Sequence, residues 1–227
     1  MEILKAEHVS YCYRSKYQTT QALTDVSCSF HTGLMYSIIG KSGSGKSTFL
    51  SLLAGMGLPT SGRILIEDQD LAMVNRDKYR MEQVAIVYQA FHLFPILTAI
   101  ENVMFPMELR GENRRKAETI ARELLYSVGL TEENFRKYPA MLSGGEQQRC
   151  AIARAMTSNG QILLADEPTG NLDSENEKRV IELLKSHAHE EGKAVIVVTH
   201  NEAVAHASDM VFRMRDGKMS DSTGRIK

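Results

Sequence analysis

Gly40-Lys41-Ser42-Gly43-Ser44-Gly45-Lys46-Ser47 is the stretch from which the rest of this sequence is read. The apolar run Met35-Tyr36-Ser37-Ile38-Ile39 leads into it as a strand, and Ser47 to Ala54 continues as a helix. A Gly-x-x-x-x-Gly-Lys-Ser segment between a strand and a helix has the setting that a phosphate-cradling loop requires. Glycines at 40, 43 and 45 permit positive φ angles and let backbone N–H groups close around anionic oxygens. The helix start adds its dipole, Lys46 offers a cation to β- and γ-phosphates, and the Ser47 hydroxyl can ligate Mg²⁺. A glycine-rich turn that merely ends in Lys-Ser is the blander reading, and the two flanking elements argue against it. The loop specifies a nucleoside triphosphate. It does not say which machine uses it.

Composition sets wide bounds. At 227 residues, with 43% hydrophobic and 24% charged side chains, the chain can bury a core without disulfide staples. Its 27 basic and 28 acidic residues leave a net charge of −1, which argues against a nucleic-acid partner. Cys12, Cys28 and Cys150 are odd in number and far apart, so they indicate neither a zinc site nor a disulfide framework. The longest uncharged run, Val84 to Ile100, is broken by Gln89, His92 and Pro95 and falls short of the roughly 20 apolar residues that span a bilayer. Any work on a membrane then needs a partner to hold the chain there.

Further strands are read at Cys28-Ser29-Phe30, Arg63-Ile64-Leu65-Ile66, Gln161 to Ala165 and Ala194 to Val198. Helical spacing covers about Asn113 to Val128, with Gly129 as its stop, and Ser174 to Lys185. Unbroken apolar strands separated by helices indicate a parallel sheet covered on both faces. Asp216-Gly217 reads as a hairpin turn near the end. The expected fold class is α/β, with a β-rich N-terminal portion and a helical insert at roughly 90–158.

Asp166 ends the strand Ile162-Leu163-Leu164-Ala165, at the sheet edge where ligands sit in parallel α/β folds. It suits Mg²⁺ through water or through Ser47, and Glu167, next in sequence, suits polarising an attacking water. An acidic helix cap would be the ordinary alternative; the phosphate loop tips the balance. His200 follows Thr199 at the end of the next strand and is placed to reach the γ-phosphate. Ser143-Gly144-Gly145 is a second helix-start anion site, placed before the helix Cys150 to Ala155. One nucleotide cannot readily use both sites within one subunit, whereas a head-to-tail dimer can.

Leu142-Ser143-Gly144-Gly145-Glu146-Gln147-Gln148-Arg149, taken with the phosphate loop, resembles the ABC-type ATPases over nearly the whole chain. Glu146 stands where Gln is the more general family residue. The resemblance implies one ABC ATPase domain over 1–227: a P-loop NTPase core with a parallel sheet flanked by helices, an antiparallel N-terminal portion and a helical subdomain insert. It implies ATP and Mg²⁺, with Gly40, Lys41, Ser42, Gly43, Ser44, Gly45, Lys46, Ser47 and Thr48 around the nucleotide. Gln89 matches the Q-loop glutamine that contacts Mg²⁺, Asp173 the D-loop aspartate that crosses the dimer, His200 the switch histidine and Tyr13 the aromatic that stacks on adenine. Ser143, Gly144, Gly145 and Asp173 would act on the partner copy's nucleotide.

A separate integral membrane permease is the implied partner, holding the chain on the inner, cytoplasmic face of the cell membrane. Asp166-Glu167-Pro168-Thr169-Gly170-Asn171-Leu172-Asp173-Ser174 and Glu101-Asn102-Val103-Met104-Phe105-Pro106 resemble the lipoprotein-release, macrolide-export and antimicrobial-peptide-resistance branch. Amino-acid importers share a similar Phe-Pro-x-Leu-Thr segment and are the alternative. Soluble ABC ATPases of DNA repair or translation usually carry two cassettes or a coiled-coil insertion, and neither occurs here. Phe91-His92-Leu93-Phe94-Pro95 offers apolar side chains either for a partner's helix or for the insert's own core.

Overall fold

The computed structural model describes residues 1–224. Two long antiparallel strands, β1 (Glu2–Arg14) and β2 (Thr19–His31), open the chain and are followed by β3 (Met35–Ile39) and α1 (Lys46–Leu53). Next come β4 (Ser61–Ile66), β5 (Gln69–Asp70), α2 (Arg76–Glu82) and β6 (Val84–Val87). Four helices follow: α3 (Ala99–Leu109), α4 (Arg114–Ser127), α5 (Glu132–Phe135) and α6 (Gly144–Met156). The last third alternates β7 (Ile162–Asp166), α7 (Ser174–His189), β8 (Ala194–Thr199), α8 (Glu202–Ala207), β9 (Met210–Arg215) and β10 (Lys218–Gly224).

The larger sheet runs β10-β9-β3-β8-β7-β6 and is parallel except for β10; the smaller, antiparallel sheet runs β2-β1-β4-β5. Strand alternation explains the unbroken apolar runs. Leu163, Ala165, Val195 and Val197 face one core, which they share with α3, α4, α6 and α7. Ile162, Leu164, Ala194, Ile196 and Val198 face the other, with α1 and the inner face of the small sheet. Both faces are covered, so β3, β7 and β8 are apolar except at Ser37, buried within β3, and at their ends Asp166 and Thr199.

Local signals place the helix ends. Asn113 caps α4 through a bond accepted from the Arg115 N–H at 2.9 Å, and Gly129 turns the chain away at a φ of 76°. Thr98 and Glu101 form a reciprocal capping box at the start of α3, and those bonds from Thr98 hold the Glu101 carboxyl below its usual range. Asp216 and Gly217, with φ angles of 50° and 74°, make the two-residue hairpin between β9 and β10.

Three elements differ from the sequence expectation. The stretch read at Cys28-Ser29-Phe30 is the tail of a 13-residue strand. Register shifts in the β1–β2 pairing, with left-handed φ at both His8 and Asp25, break the apolar alternation that would have shown its length. Helix α7 runs four residues past Lys185, because His187 and Ala188 are buried there. Helix α6 starts at Gly144 rather than Cys150, nucleated by a capping box between Ser143 and Glu146.

Leu164, fully buried mid-strand in the larger sheet, tests the two-sided core. Leu164→Ala is expected to cost about 2–5 kcal/mol through lost burial and a cavity. The check is a lower urea midpoint with an unchanged denaturant slope; an unshifted midpoint would refute the packing described.

Candidate nucleotide-binding site

β3 ends at Ile39, and the chain turns through Gly40–Gly45 into α1. The glycines serve two needs. At Gly40 a Cβ would lie 2.2 Å from the Met214 carbonyl oxygen, so only glycine lets the loop pass β9. Gly43 and Gly45 adopt φ angles of 78° and 104°, conformations that L side chains rarely adopt. Gly45 is the N-cap of α1 and offers no side-chain cap, which leaves the amide dipoles of the first turn for an anion. Lys46 is 7% exposed, and its ammonium donates to the carbonyls of Gly40 at 2.8 Å and Lys41 at 3.2 Å.

Both carboxylates lie at the end of β7, beside the end of β8. Asp166 closes β7 beside Ser47 and keeps Oδ1 buried without a protein partner. Burial raises its pKa, with the neighbouring Glu167 charge adding to the rise; the Ser47 hydroxyl and the Lys46 ammonium oppose it. Among the described residues the Ser44 hydroxyl is likewise buried and unpartnered. The orphaned Asp166 oxygen, with Ser47 nearby, fits a hard cation with oxygen ligands.

Glu167 holds a left-handed φ of 47°, an uncommon conformation for a residue with a side chain. Its carboxylate accepts bonds from the Thr199 hydroxyl at 2.9 Å and the His200 N–H at 3.3 Å, and meets His200 Nδ1 at 2.9 Å. These contacts fix the carboxylate at the cleft wall. The other anchors come from the small sheet: Tyr13 is half-exposed, meets the Thr48 hydroxyl at 3.1 Å and stands edge-on to Tyr11.

One cleft of about 730 Å³ is lined by Tyr13, Lys41, Ser42, Gly43, Gly45, Lys46, Ser47, Thr48, Gln89, Glu167 and His200. Gly40, Ser44 and Asp166 are not among its lining residues. Gly170 and Asn171 of the Asp166–Ser174 stretch line it too, as do Thr20, Gln21 and Ala22, which carry no motif signal of their own. Thr199 carries no sequence signal for another reason: it ends a buried strand, and only the fold shows its hydroxyl on Glu167.

Ser143, Gly144, Gly145 and Asp173 lie outside the cleft lining. Ser143 Oγ accepts from the Glu146 N–H while Glu146 Oε2 accepts from the Ser143 N–H, and Asn134 donates to Glu146 Oε1 at 2.7 Å. Gly145 packs on the backbone of Asn171, where a Cβ would come within 3.1 Å of the carbonyl oxygen. Asp173 is the N-cap of α7, accepting from the N–H groups of Glu175 and Asn176 and from the Asn176 side chain; the bonds from Asn176 hold its pKa down.

A family model described as ABC transporter matches residues 23–170. The chain belongs to the ABC transporter family. As an ABC ATPase it is 40% identical, over 95% of its length, to the lipoprotein-releasing system ATP-binding protein LolD of Shewanella oneidensis, covering 94% of that protein. It is 39% identical to the macrolide export ATP-binding/permease protein MacB of Salmonella choleraesuis, with 96% of the chain matching 34% of that longer protein. The dimeric post-hydrolysis structure of the ATP-binding cassette MJ0796, bound to ADP and Pi, superposes with a TM-score of 0.92 at 35% identity, over 98% of each chain. The lipoprotein-release and macrolide-export resemblance read from the sequence holds, and the chain is an ATP-binding, ATP-hydrolysing subunit of an ABC transporter.

The raised pKa of Asp166 has a signed consequence. A carboxyl whose folded pKa exceeds its unfolded value favours the folded state at low pH and disfavours it once ionised. Asp166→Asn is therefore expected to raise the melting temperature of the nucleotide-free protein near neutral pH. The gain shrinks as pH falls through the raised folded pKa and on toward the ordinary carboxylate range. Thermal melts at pH 7 and pH 5 check this; a variant less stable at both would refute it.

Proposed function

We propose that two copies of this chain close around two ATP molecules and so drive a separate membrane permease. The observation that carries the reading is the division of the anion sites. The phosphate loop and Glu167 share one cleft, while Ser143-Gly144-Gly145 starts a helix outside it. Apposing two chains head to tail would bring the serine–glycine helix start of each, and its Asp173, to the γ-phosphate side of the other's cleft. The dimeric MJ0796 cassette supports that arrangement.

Within one cleft, Tyr13 stacks on the adenine and the amides from Gly40 to Thr48 bind the phosphates. The Lys46 ammonium exchanges its carbonyl partners for β- and γ-phosphate oxygens. Ser47 and Gln89, with Asp166 through water, would hold Mg²⁺, which when bound neutralises charge on those oxygens. Glu167 polarises the water that attacks the γ-phosphorus, and Thr199 and His200 orient its carboxylate through the bonds described above. Closure is then a population shift toward a state whose contacts exist only with ATP bound, and hydrolysis removes them.

No helix among the described residues is long and apolar enough to cross a membrane. The permease then holds the chain on the inner face of the membrane. Leu93 packs into the core of the helical insert, whereas Phe94 and Ile96 are exposed at 41% and 82%, so the 91–96 segment can serve both core and docking surface. The resemblance to LolD and MacB favours export or membrane extraction of lipid-linked, peptide or drug cargo over amino-acid import.

Glu167→Gln keeps the shape of the side chain and removes the base. It is expected to bind ATP, cut turnover by at least about a hundredfold, and elute as a dimer with ATP by size exclusion. Parent-like turnover would remove Glu167 from the role of base. Lys46→Ala is expected to weaken ATP binding roughly 10- to 100-fold, the scale of lost charge-assisted bonds. An unchanged affinity by calorimetry would refute the role given to Lys46.

A further inference from the structure

The segment after Gln89 is irregular backbone, yet it is held at both ends by side chains from two different helices. Asn102 of α3, fully buried, holds the far end. Its Oδ1 accepts from the Phe94 N–H at 2.8 Å, and its amide nitrogen donates to the carbonyls of Phe94, Leu97 and Thr98 at 3.0–3.1 Å. Arg154 of α6 holds the near end. One arm of its guanidinium donates to the His92 carbonyl at 2.7 Å, the other to the Phe91 carbonyl at 3.0 Å, and its Cζ lies 5.8 Å from the Phe94 ring centroid. The segment also reaches the start of α6, since a Cβ on Gly144 would sit 3.9 Å from Phe91 Cζ. His92 takes a left-handed φ of 47°, which aims consecutive carbonyls at one fork.

We propose that Arg154 is a positioning residue that fastens the 91–94 segment to the helix opening with Ser143, so that a nucleotide-driven shift of that helix is carried to the exposed Phe94 and Ile96. This rests on the ATP-driven closure proposed above. The physical case is that a planar fork can bind two successive carbonyls at once and stack on a ring, which fixes orientation as well as distance. A lysine ammonium is a single point charge and cannot reproduce that geometry. Phe91 lies along α6 toward Gly144 while its carbonyl is held by Arg154, so segment and helix touch at two places along the helix axis. With Asn102 holding the far end to α3, Phe94 and Ile96 sit on a strap whose tie to α6 is Arg154.

The test is hydrogen–deuterium exchange in a Glu167→Gln background, with and without MgATP, comparing 40–48, 143–147 and 91–98 within each sample. In that background all three stretches are expected to change with ATP. Adding Arg154→Lys is expected to leave the changes at 40–48 and 143–147 in place and to abolish the ATP-dependent change at 91–98. Faster exchange at 91–98 that still differs with and without ATP would mean only local packing and overturn the proposal. So would a 91–98 stretch that ignores ATP while 143–147 responds in the background protein. If 143–147 itself fails to respond, the closure reading falls instead. Arg154→Lys keeps the charge and the apolar stem, and a thermal melt confirms that it folds.

Discussion

Parallel pairing of β3, β8 and β7 is the constraint on which the site depends. In that register Ile39 pairs with Thr199, and Val198 with Asp166, so the three strands end along one edge of the sheet. The residues that follow, Gly40, Glu167 and His200, leave the sheet together. Val87 pairs with Ala165 on the other side and sends Gln89 out from the same edge. A one-residue slip would turn the inward side chains of a strand to the opposite face. Because each strand contributes to both packed cores, side-chain size and shape resist that slip.

Strand ends are also why the candidate site residues are legible in the sequence. Residues at strand ends are identified by the apolar runs that precede them, and Gly40–Ser47, Asp166, Glu167 and His200 all follow such runs. The hairpin at Asp216-Gly217 and the stop at Gly129 were readable because positive φ favours a short list of residue types. The cleft wall from β2 was not readable. Thr20, Gln21 and Ala22 gain their place only because the small sheet folds over α1, a contact between segments far apart in sequence. Bulges hid the length of β1 and β2 for a local reason: each extra residue inverts the alternation after it.

The helical insert shows the same limit from another side. Its sequence identifies Ser143-Gly144-Gly145 as a helix start, but the bond from Asn134 to Glu146 depends on α5 packing beside it. The apolar letters of 91–95 could not be divided between core and surface, because irregular backbone has no period to sort them. The division comes from Asn102 and Arg154, two polar side chains whose hydrogen bonds replace those that a helix or strand would have provided.

Position 167 is where folding and chemistry ask for different residues. A glycine there would adopt the 47° φ without steric conflict, and the backbone after β7 would relax. It would also remove the carboxylate that Thr199 and His200 hold at the cleft wall. The carboxylate therefore occupies a turn that disfavours side chains, and the bonds from β8 help hold it there. A search for substitutions that make this chain more robust would be drawn to the residue proposed here as the catalytic base, and would trade turnover for heat resistance without disturbing the fold.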